Sequence, residues 1–396
     1  MKDLPRVKAS MTAGKKFTWS AEALMSQARE ITGIELIDED ALEPLEVLLA
    51  SLNRDANLHE TGVIGWEKML LRILSNRLRM QRDFARHPEI AEQPVNAPVF
   101  CVGMPRTGST KTQKLLANSG DFNWLPLWKS YNPSSYTGVP DEPVQPRVDD
   151  TDAYVEWMNT HSPELRSGHA FLTHEPEEES FILEHSLRTP CFVGWSVVTG
   201  YLTWLAGQDF VAQFQYLRDT LKYLQWQGLA SPSKRWILKS PLYYGMEPSL
   251  LAVFPDACLI MSHRHPKTSV PSSIKLLEKF FQPYADQKPD ADRAVLASAS
   301  SIRRHFRNRE RMGLAVLDVP YPKLVKAPES VIREIYRFVG EPLSDASLKR
   351  MMDWNNDNPK NRHGRHVYSL AEYGYSEEKI AEVFSEYIGF LEGLDG

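Results

Sequence analysis

Gly103 and Gly108 frame a loop in the stretch Pro98-Val99-Phe100-Cys101-Val102-Gly103-Met104-Pro105-Arg106-Thr107-Gly108-Ser109-Thr110-Lys111. A short apolar run breaks into this loop, and a helical pattern follows from Thr112 to Asn118. A strand, tight loop and helix start in that order aim backbone N–H groups and the positive end of a helix dipole at one point, which is a site for an anion. The spelling follows the nucleotide-binding pattern G-x-x-x-x-G-K-[ST], with Gly103 and Gly108 in register and Thr110 in the last place. Ser109 stands where the lysine belongs. Kinases and GTPases use that lysine to reach the β- and γ-phosphates. The loop therefore reads as a cradle for a phosphate or sulfate, and not for the γ-phosphate of ATP.

A second polar group is Ser262-His263-Arg264-His265-Pro266-Lys267-Thr268-Ser269-Val270-Pro271-Ser272-Ser273. Arg264 falls at the end of a strand pattern, and Ser272 about two turns into a helix beginning near Pro266. A guanidinium fork suits a phosphate, and a hydroxyl on the same side would add a donor. Taken alone, Arg264 fits a surface ion pair as well. His263 and His265 have the spacing of a metal pair, but no carboxylate or cysteine nearby completes a ligand set, so no metal is expected.

The elements that must position these groups are legible as apolar periodicity. Residues 1–95 carry helical patterns over Ala21–Ile31, Ala41–Asn53 and Gly65–Arg86, with Ser20 as N-cap of the first. Pro94 and Pro98 mark the passage into the first strand, and a Trp/Pro/Tyr-rich stretch runs from Phe122 to Pro146. Further strands are expected at Arg235–Lys239, Ala257–Ser262 and Leu314–Val319. Between and around them lie helical patterns from Asp152 and over Phe210–Gln227, Glu247–Phe254, Val270–Phe281 and Ala291–Met312. This alternation predicts an α/β fold, a P-loop-like central parallel sheet flanked by helices, with an N-terminal helical extension. Such sheets bind ligands beyond the carboxyl ends of their strands, where Gly103, Lys239 and Arg264 all fall.

Composition fits an enzyme of ordinary type. The chain has 396 residues, 42% of them hydrophobic, and a net charge of −5, which makes no general case for nucleic acid or a membrane surface. No apolar run approaches the roughly 20 residues that span a bilayer. The N-terminus lacks the apolar segment of a secretory signal. Cys101, Cys191 and Cys258 sit far apart in apolar surroundings and read as buried reduced thiols, which points to the cytoplasm. The oligomeric state stays open, a homodimer being one option.

Together, Pro105-Arg106-Thr107-Gly108-Ser109-Thr110 and the Arg264/Ser272 pair resemble the PAPS-dependent sulfotransferase family, in its bacterial branch. In that family the first loop cradles the 5′-phosphosulfate of the donor, and an Arg-x-Pro element followed by a serine at the spacing of Arg264 and Ser272 holds the 3′-phosphate. Lys239-Ser240-Pro241 ends the intervening strand as the family would have it. Asn361-Arg362-His363-Gly364-Arg365-His366-Val367-Tyr368-Ser369-Leu370 looks like the family's basic loop over the 3′-phosphate. The resemblance runs from about residue 97 to 390 and implies a transferase domain over residues 96–396, on which residues 1–95 pack.

It implies donor binding by Arg106, Thr107, Gly108, Ser109, Thr110, Lys111, Arg264, Ser272, Arg362, His363, Gly364 and Arg365, with PAPS as co-substrate. Arg106 and Lys239 would carry catalysis by bridging the leaving phosphate and the sulfuryl oxygens. Better-known cytosolic members place a catalytic histidine where this chain has Pro241. The candidate base segment is Thr173-His174-Glu175-Pro176-Glu177-Glu178-Glu179, read as the start of a helix from Pro176, with His174 or Glu175 preferred and Glu178 as alternate. Those acids would equally serve the helix dipole. The aromatic residues Phe122, Trp124, Trp128, Tyr131, Tyr136, Trp157, Phe171, Phe192, Trp195, Tyr201 and Trp204, most of them expected in the core, favour an apolar or aromatic hydroxyl acceptor, a small molecule or a lipid. A P-loop kinase and a nucleotide-binding protein without transferase activity are the alternative readings.

Overall fold

Four short apolar runs pair into one parallel sheet: β1 (Val99–Val102), β2 (Ile237–Lys239), β3 (Cys258–His263) and β4 (Val316–Pro320), in the order β2-β1-β3-β4. The computed structural model describes residues 19–358 and 369–395. Each strand lies within a couple of residues of its expected place. Successive side chains of β1 point to opposite faces, and both faces are covered, so β1 is apolar throughout rather than alternating. Phe100 and Val102 pack with Leu238, Leu259 and Met261 against Phe214, Leu217, Leu250 and Ile274 from the helices on one face. Val99 and Cys101 pack with Ile237 and Ile260 against Leu115, Leu116, Ile332 and Ile335 on the other.

The strand order decides what meets at the carboxyl edge. β1 sits between β2 and β3, with Cys101 opposite both Lys239 and Ile260. The loop after β1 is therefore flanked by the end of β2 on one side and the end of β3 on the other, at the point where the strand order reverses.

The first helices span Ala21–Thr32, Glu39–Asp55 and Glu60–Arg86, and the Ser20 hydroxyl accepts from the Ala23 N–H at 3.4 Å. Their apolar stripes do not close on themselves. Leu24, Leu45, Leu48, Trp66, Leu70 and Leu74 share one cluster with Leu127, Met158, Phe171, Phe181, Leu187, Phe192, Trp195 and Tyr201. Buried polar contacts fix the docking: Arg77 bonds Asp38 and the His185 carbonyl, Arg72 bonds Glu184 and the Tyr131 carbonyl, and Trp66 Nε1 donates to Ser196 Oγ at 2.9 Å. Removing one partner of such a buried pair costs about 3–5 kcal/mol. Among the described residues, no helix is long and apolar enough to cross a membrane.

Candidate active site

The loop after β1 takes backbone conformations that its residue types explain. Gly103 has φ 130° and Gly108 φ 105°. A Cβ on Gly103 would stand 2.6 Å from the Ser262 carbonyl oxygen of the neighbouring strand, and one on Gly108 would stand 2.8 Å from the Tyr321 ring. Thr107, fully buried, closes the loop by donating to the Met104 carbonyl at 2.7 Å. Gly108 precedes the helix Ser109–Ala117 and offers no side chain to cap it. The N–H groups of the first turn are thus left for an external acceptor.

Three cationic side chains arrive from three strand ends. Arg106 lies in the loop itself with φ 68°, a conformation that costs a non-glycine residue about 1–2 kcal/mol. Its Nε donates to Ser272 Oγ at 3.1 Å and its Nη1 to the Gly168 carbonyl at 3.0 Å. Arg264, just past β3, donates to the Arg106 carbonyl at 3.2 Å, and its guanidinium sits 4.5 Å from the centroid of the Tyr321 ring. Lys239, the last residue of β2, is buried and bonds Glu178. Arg106, Gly108, Ser109, Thr110, Lys111, Lys239 and Arg264 all line one cavity of about 1170 Å³. Burial lowers the pKa of the Lys111 ammonium. Thr107 and Ser272 stand behind this wall, the first supporting the loop and the second supporting Arg106.

The acidic segment differs from its sequence expectation. No helix begins at Pro176: Pro176 bridges Pro126, the Glu177 N–H donates to the Leu125 carbonyl at 2.9 Å, and the helix starts at Ser180. Tertiary pairing takes the backbone groups that a first turn would have used. Of the three candidate bases, His174 is exposed and Glu175 turns to Lys114 at 3.5 Å, so neither lines the cavity. Glu178 does. Glu179 is fully buried and accepts from the Lys239 N–H at 2.6 Å and the Tyr243 hydroxyl at 3.0 Å. Burial above all, then the nearby charge of Glu178, pushes its carboxyl well above the usual range against those hydrogen bonds. Glu177 also lines the cavity, and His169 Nε2 lies 3.1 Å from both of its carboxylate oxygens.

Away from these charges the cavity wall is apolar, formed by Phe171, Phe181, Trp195, Leu202, Phe210 and Phe280. Of the aromatic residues singled out in sequence, only Phe171 and Trp195 reach it. Phe122 packs on Tyr336 with ring centroids 5.7 Å apart, and Tyr131 stacks on Tyr154 at 4.5 Å, both as core. His263 is buried between Asp318 and the Tyr387 hydroxyl, and His265 caps the helix Pro266–Phe281 by accepting from the Lys267 N–H. The pair is thus spent on structure. Arg362, His363, Gly364 and Arg365 lie outside the described residues. Sequence reasoning missed His169 and Tyr321. The Tyr321 position, next after β4, could have been flagged as a strand end, whereas nothing around His169 marks it.

Residues 98–345 match the sulfotransferase family. No curated protein is similar enough in sequence to match. Among solved structures, the sulfotransferase STF9 from Mycobacterium avium is 25% identical, with a TM-score of 0.80 over 96% of this chain and 98% of its own. The sulfotransferase STF1 from Mycobacterium tuberculosis H37Rv is also 25% identical, with a TM-score of 0.77 over 93% of this chain and 99% of its own.

Proposed function

The chain belongs to the sulfotransferase family, and we propose that it moves a sulfuryl group from PAPS to the hydroxyl of an apolar or aromatic acceptor, a small molecule or a lipid. One observation carries this reading. The helix of the phosphate loop opens with Ser109 instead of lysine, while Arg106, Lys239 and Arg264 from three strand ends face the same cavity. That set suits two separate anionic groups on one nucleotide, and it lacks the lysine a γ-phosphate needs. Arg106 and Lys239 would neutralise charge on the sulfuryl and leaving phosphate oxygens, with the N–H groups of Thr107 to Thr110 completing the cradle. Arg264 would hold the 3′-phosphate, with Ser272 acting behind it through Arg106, and Arg362, His363, Gly364 and Arg365 are read as further donor-binding residues. Cationic side chains then do what Mg²⁺ does in kinases.

Glu178 is the one sequence candidate for the base that lines the cavity, and its ion pair fits it for orienting the Lys239 ammonium. The apolar wall of Phe171, Phe181, Trp195 and Phe280 supports an acceptor with little charge. Residues 1–95 are read as an extension on the 96–396 transferase domain, which the shared apolar cluster supports. A cytoplasmic setting fits three unpaired cysteines, Cys101 and Cys191 buried and Cys258 half-buried.

Calorimetric titration with adenosine 3′,5′-bisphosphate, run beside ATP–Mg²⁺, tests the donor assignment on wild type and Arg264→Ala. The expected result is bisphosphate binding that depends on Arg264, with ATP ignored. Preference for ATP–Mg²⁺ would overturn it and make the first loop that of a kinase. A panel of phenols and alkanols offered with PAPS then tests the acceptor class.

A further inference from the structure

We infer that His169, held by Glu177, is the general base that takes the proton of the acceptor hydroxyl; this rests on the sulfotransferase reading above. The imidazole Nε2 faces both oxygens of the Glu177 carboxylate at 3.1 Å. A carboxylate only accepts, so Nε2 carries a proton, and in the neutral ring Nδ1 is the nitrogen that holds the lone pair. Burial alone would raise the Glu177 carboxyl, but His169 above all, then the Glu178 N–H and the Lys239 ammonium, hold it below its usual range. An ionised partner fixes the tautomer and stabilises the imidazolium that forms, the role the third member plays in nucleophile–base–carboxylate sets.

The dyad is tied to the phosphate loop from both ends. Arg106 Nη1 donates to the carbonyl of Gly168, the residue before His169, and Gln113 Nε2, on the helix that begins at Ser109, donates to the Glu177 carbonyl at 2.9 Å. The imidazole also meets the apolar wall, edge-on to Phe171 at 5.0 Å and to Phe280 at 5.6 Å between ring centroids. It thus sits where the cationic end of the cavity meets the apolar end, which is where an acceptor hydroxyl must approach the sulfur. The other acids are committed elsewhere. Glu178 holds the Lys239 ammonium, and Glu179 lies behind the wall on the Lys239 N–H and Tyr243.

In the step, the acceptor oxygen forms a bond to sulfur as the bond from sulfur to the donor's phosphate oxygen breaks. The bisphosphate leaves with that electron pair, and the hydroxyl proton passes to Nδ1 of His169 and later to water. The ligand atoms of His169, Glu177 and Glu178 also lie within 4.8 Å of one another, the arrangement of a divalent-cation site. The Lys239 ammonium already supplies the positive charge there.

A base matters only while the acceptor still holds its proton. The test is the rate with PAPS across acceptors from alkanols to a nitrophenol ionised at the assay pH, for wild type, His169→Gln and Glu177→Gln. Bisphosphate affinity is measured alongside. His169→Gln should bind the bisphosphate like wild type and lose about 10²–10⁴-fold on alkanols, with the deficit shrinking below about tenfold on the ionised phenol. Glu177→Gln should show the same acceptor dependence at smaller amplitude, and Glu177→Asp should restore part of it. A deficit equal across the series would make His169 structural and overturn the assignment, as would activity abolished by a chelator and restored by Mg²⁺ or Zn²⁺. If wild type ignores the bisphosphate, the donor reading falls and the dyad falls with it, an outcome distinct from failure of the dyad alone.

Discussion

Arg106 and Ser272 lie 166 residues apart in the chain, and Arg106 Nε donates to Ser272 Oγ at 3.1 Å. That bond belongs to a set. Arg264 donates to the Arg106 carbonyl, and Ser273 Oγ donates to the Pro105 carbonyl at 3.4 Å. The end of β3 and the helix after it therefore grip the loop after β1, and the two anion-binding elements read separately in sequence form one unit.

Substitutions in that unit should affect bisphosphate affinity in a graded way. Hydrogen bonds to charged groups contribute about 1.5–3 kcal/mol, so Arg264→Ala should weaken binding by roughly 10–100-fold. Arg264→Lys should recover little, because an ammonium cannot support the Arg106 carbonyl, lie on the Tyr321 ring and fork onto a phosphate at once. Ser272→Ala removes a single neutral partner and should cost about 1 kcal/mol, near fivefold. Calorimetric titration reads all three, and equal affinities across the series would separate the pair from the nucleotide.

Arg106 combines a strained backbone with a functional side chain, so the two can be divided. Arg106→Ala and Arg106→Gly both delete the guanidinium and should both abolish sulfuryl transfer with the fold intact. They differ in backbone alone. At φ 68° the glycine variant should be the more stable by about 1 kcal/mol in urea denaturation. Transfer retained by either would remove Arg106 from the chemistry.

Gly103 has no such freedom to change. At φ 130° a side chain is strained by about 1–3 kcal/mol before contacts are counted. Gly103→Ala adds a methyl group 2.6 Å from the Ser262 carbonyl oxygen, on a residue that the β3–β4 pairing holds in place opposite Val319. A lower urea midpoint, with bisphosphate affinity reduced as well, is expected; a variant as stable as wild type would show that the loop has another conformation to adopt.

Local signals explain what was legible in sequence. The helix Ala291–Met312 is found where expected, since Asp290 caps its start through the Arg293 N–H and Gly313 ends it at φ 59°. The phosphate loop was legible for the same reason, because Gly103 and Gly108 sit at positions only glycine occupies without strain. His169 was not. Its partner Glu177 reaches it through a turn whose backbone pairs with Leu125, a contact of the tertiary fold that no periodicity announces. The same pairing defeats the helix expected from Pro176. Proline followed by acids is a good first turn only while its carbonyls are free to accept from the next turn, and here those of Glu175 and Glu177 accept from the Leu127 N–H and Gln113 Nε2.

Glu179 gives the last prediction, and its sign follows from the direction of its shift. A carboxyl raised above its usual range binds its proton more tightly in the folded chain than in the unfolded one. Its contribution to stability is fully present below the ordinary carboxylate range near pH 4.5 and is lost as pH rises through the raised folded value. Across that window the loss approaches about 1.4 kcal/mol per pH unit. Glu179→Gln keeps an oxygen for the Lys239 N–H and the Tyr243 hydroxyl but carries no charge at any pH, so it should lack this slope and overtake wild type as pH increases. Glu179→Ala instead strands both donors, at about 1–3 kcal/mol each, and should be the less stable variant throughout. Urea denaturation of the three proteins at a series of pH values reads the difference. Parallel curves for wild type and Glu179→Gln would mean that Glu179 is as readily ionised folded as unfolded, and that Lys239 is flanked by two negative charges instead of one.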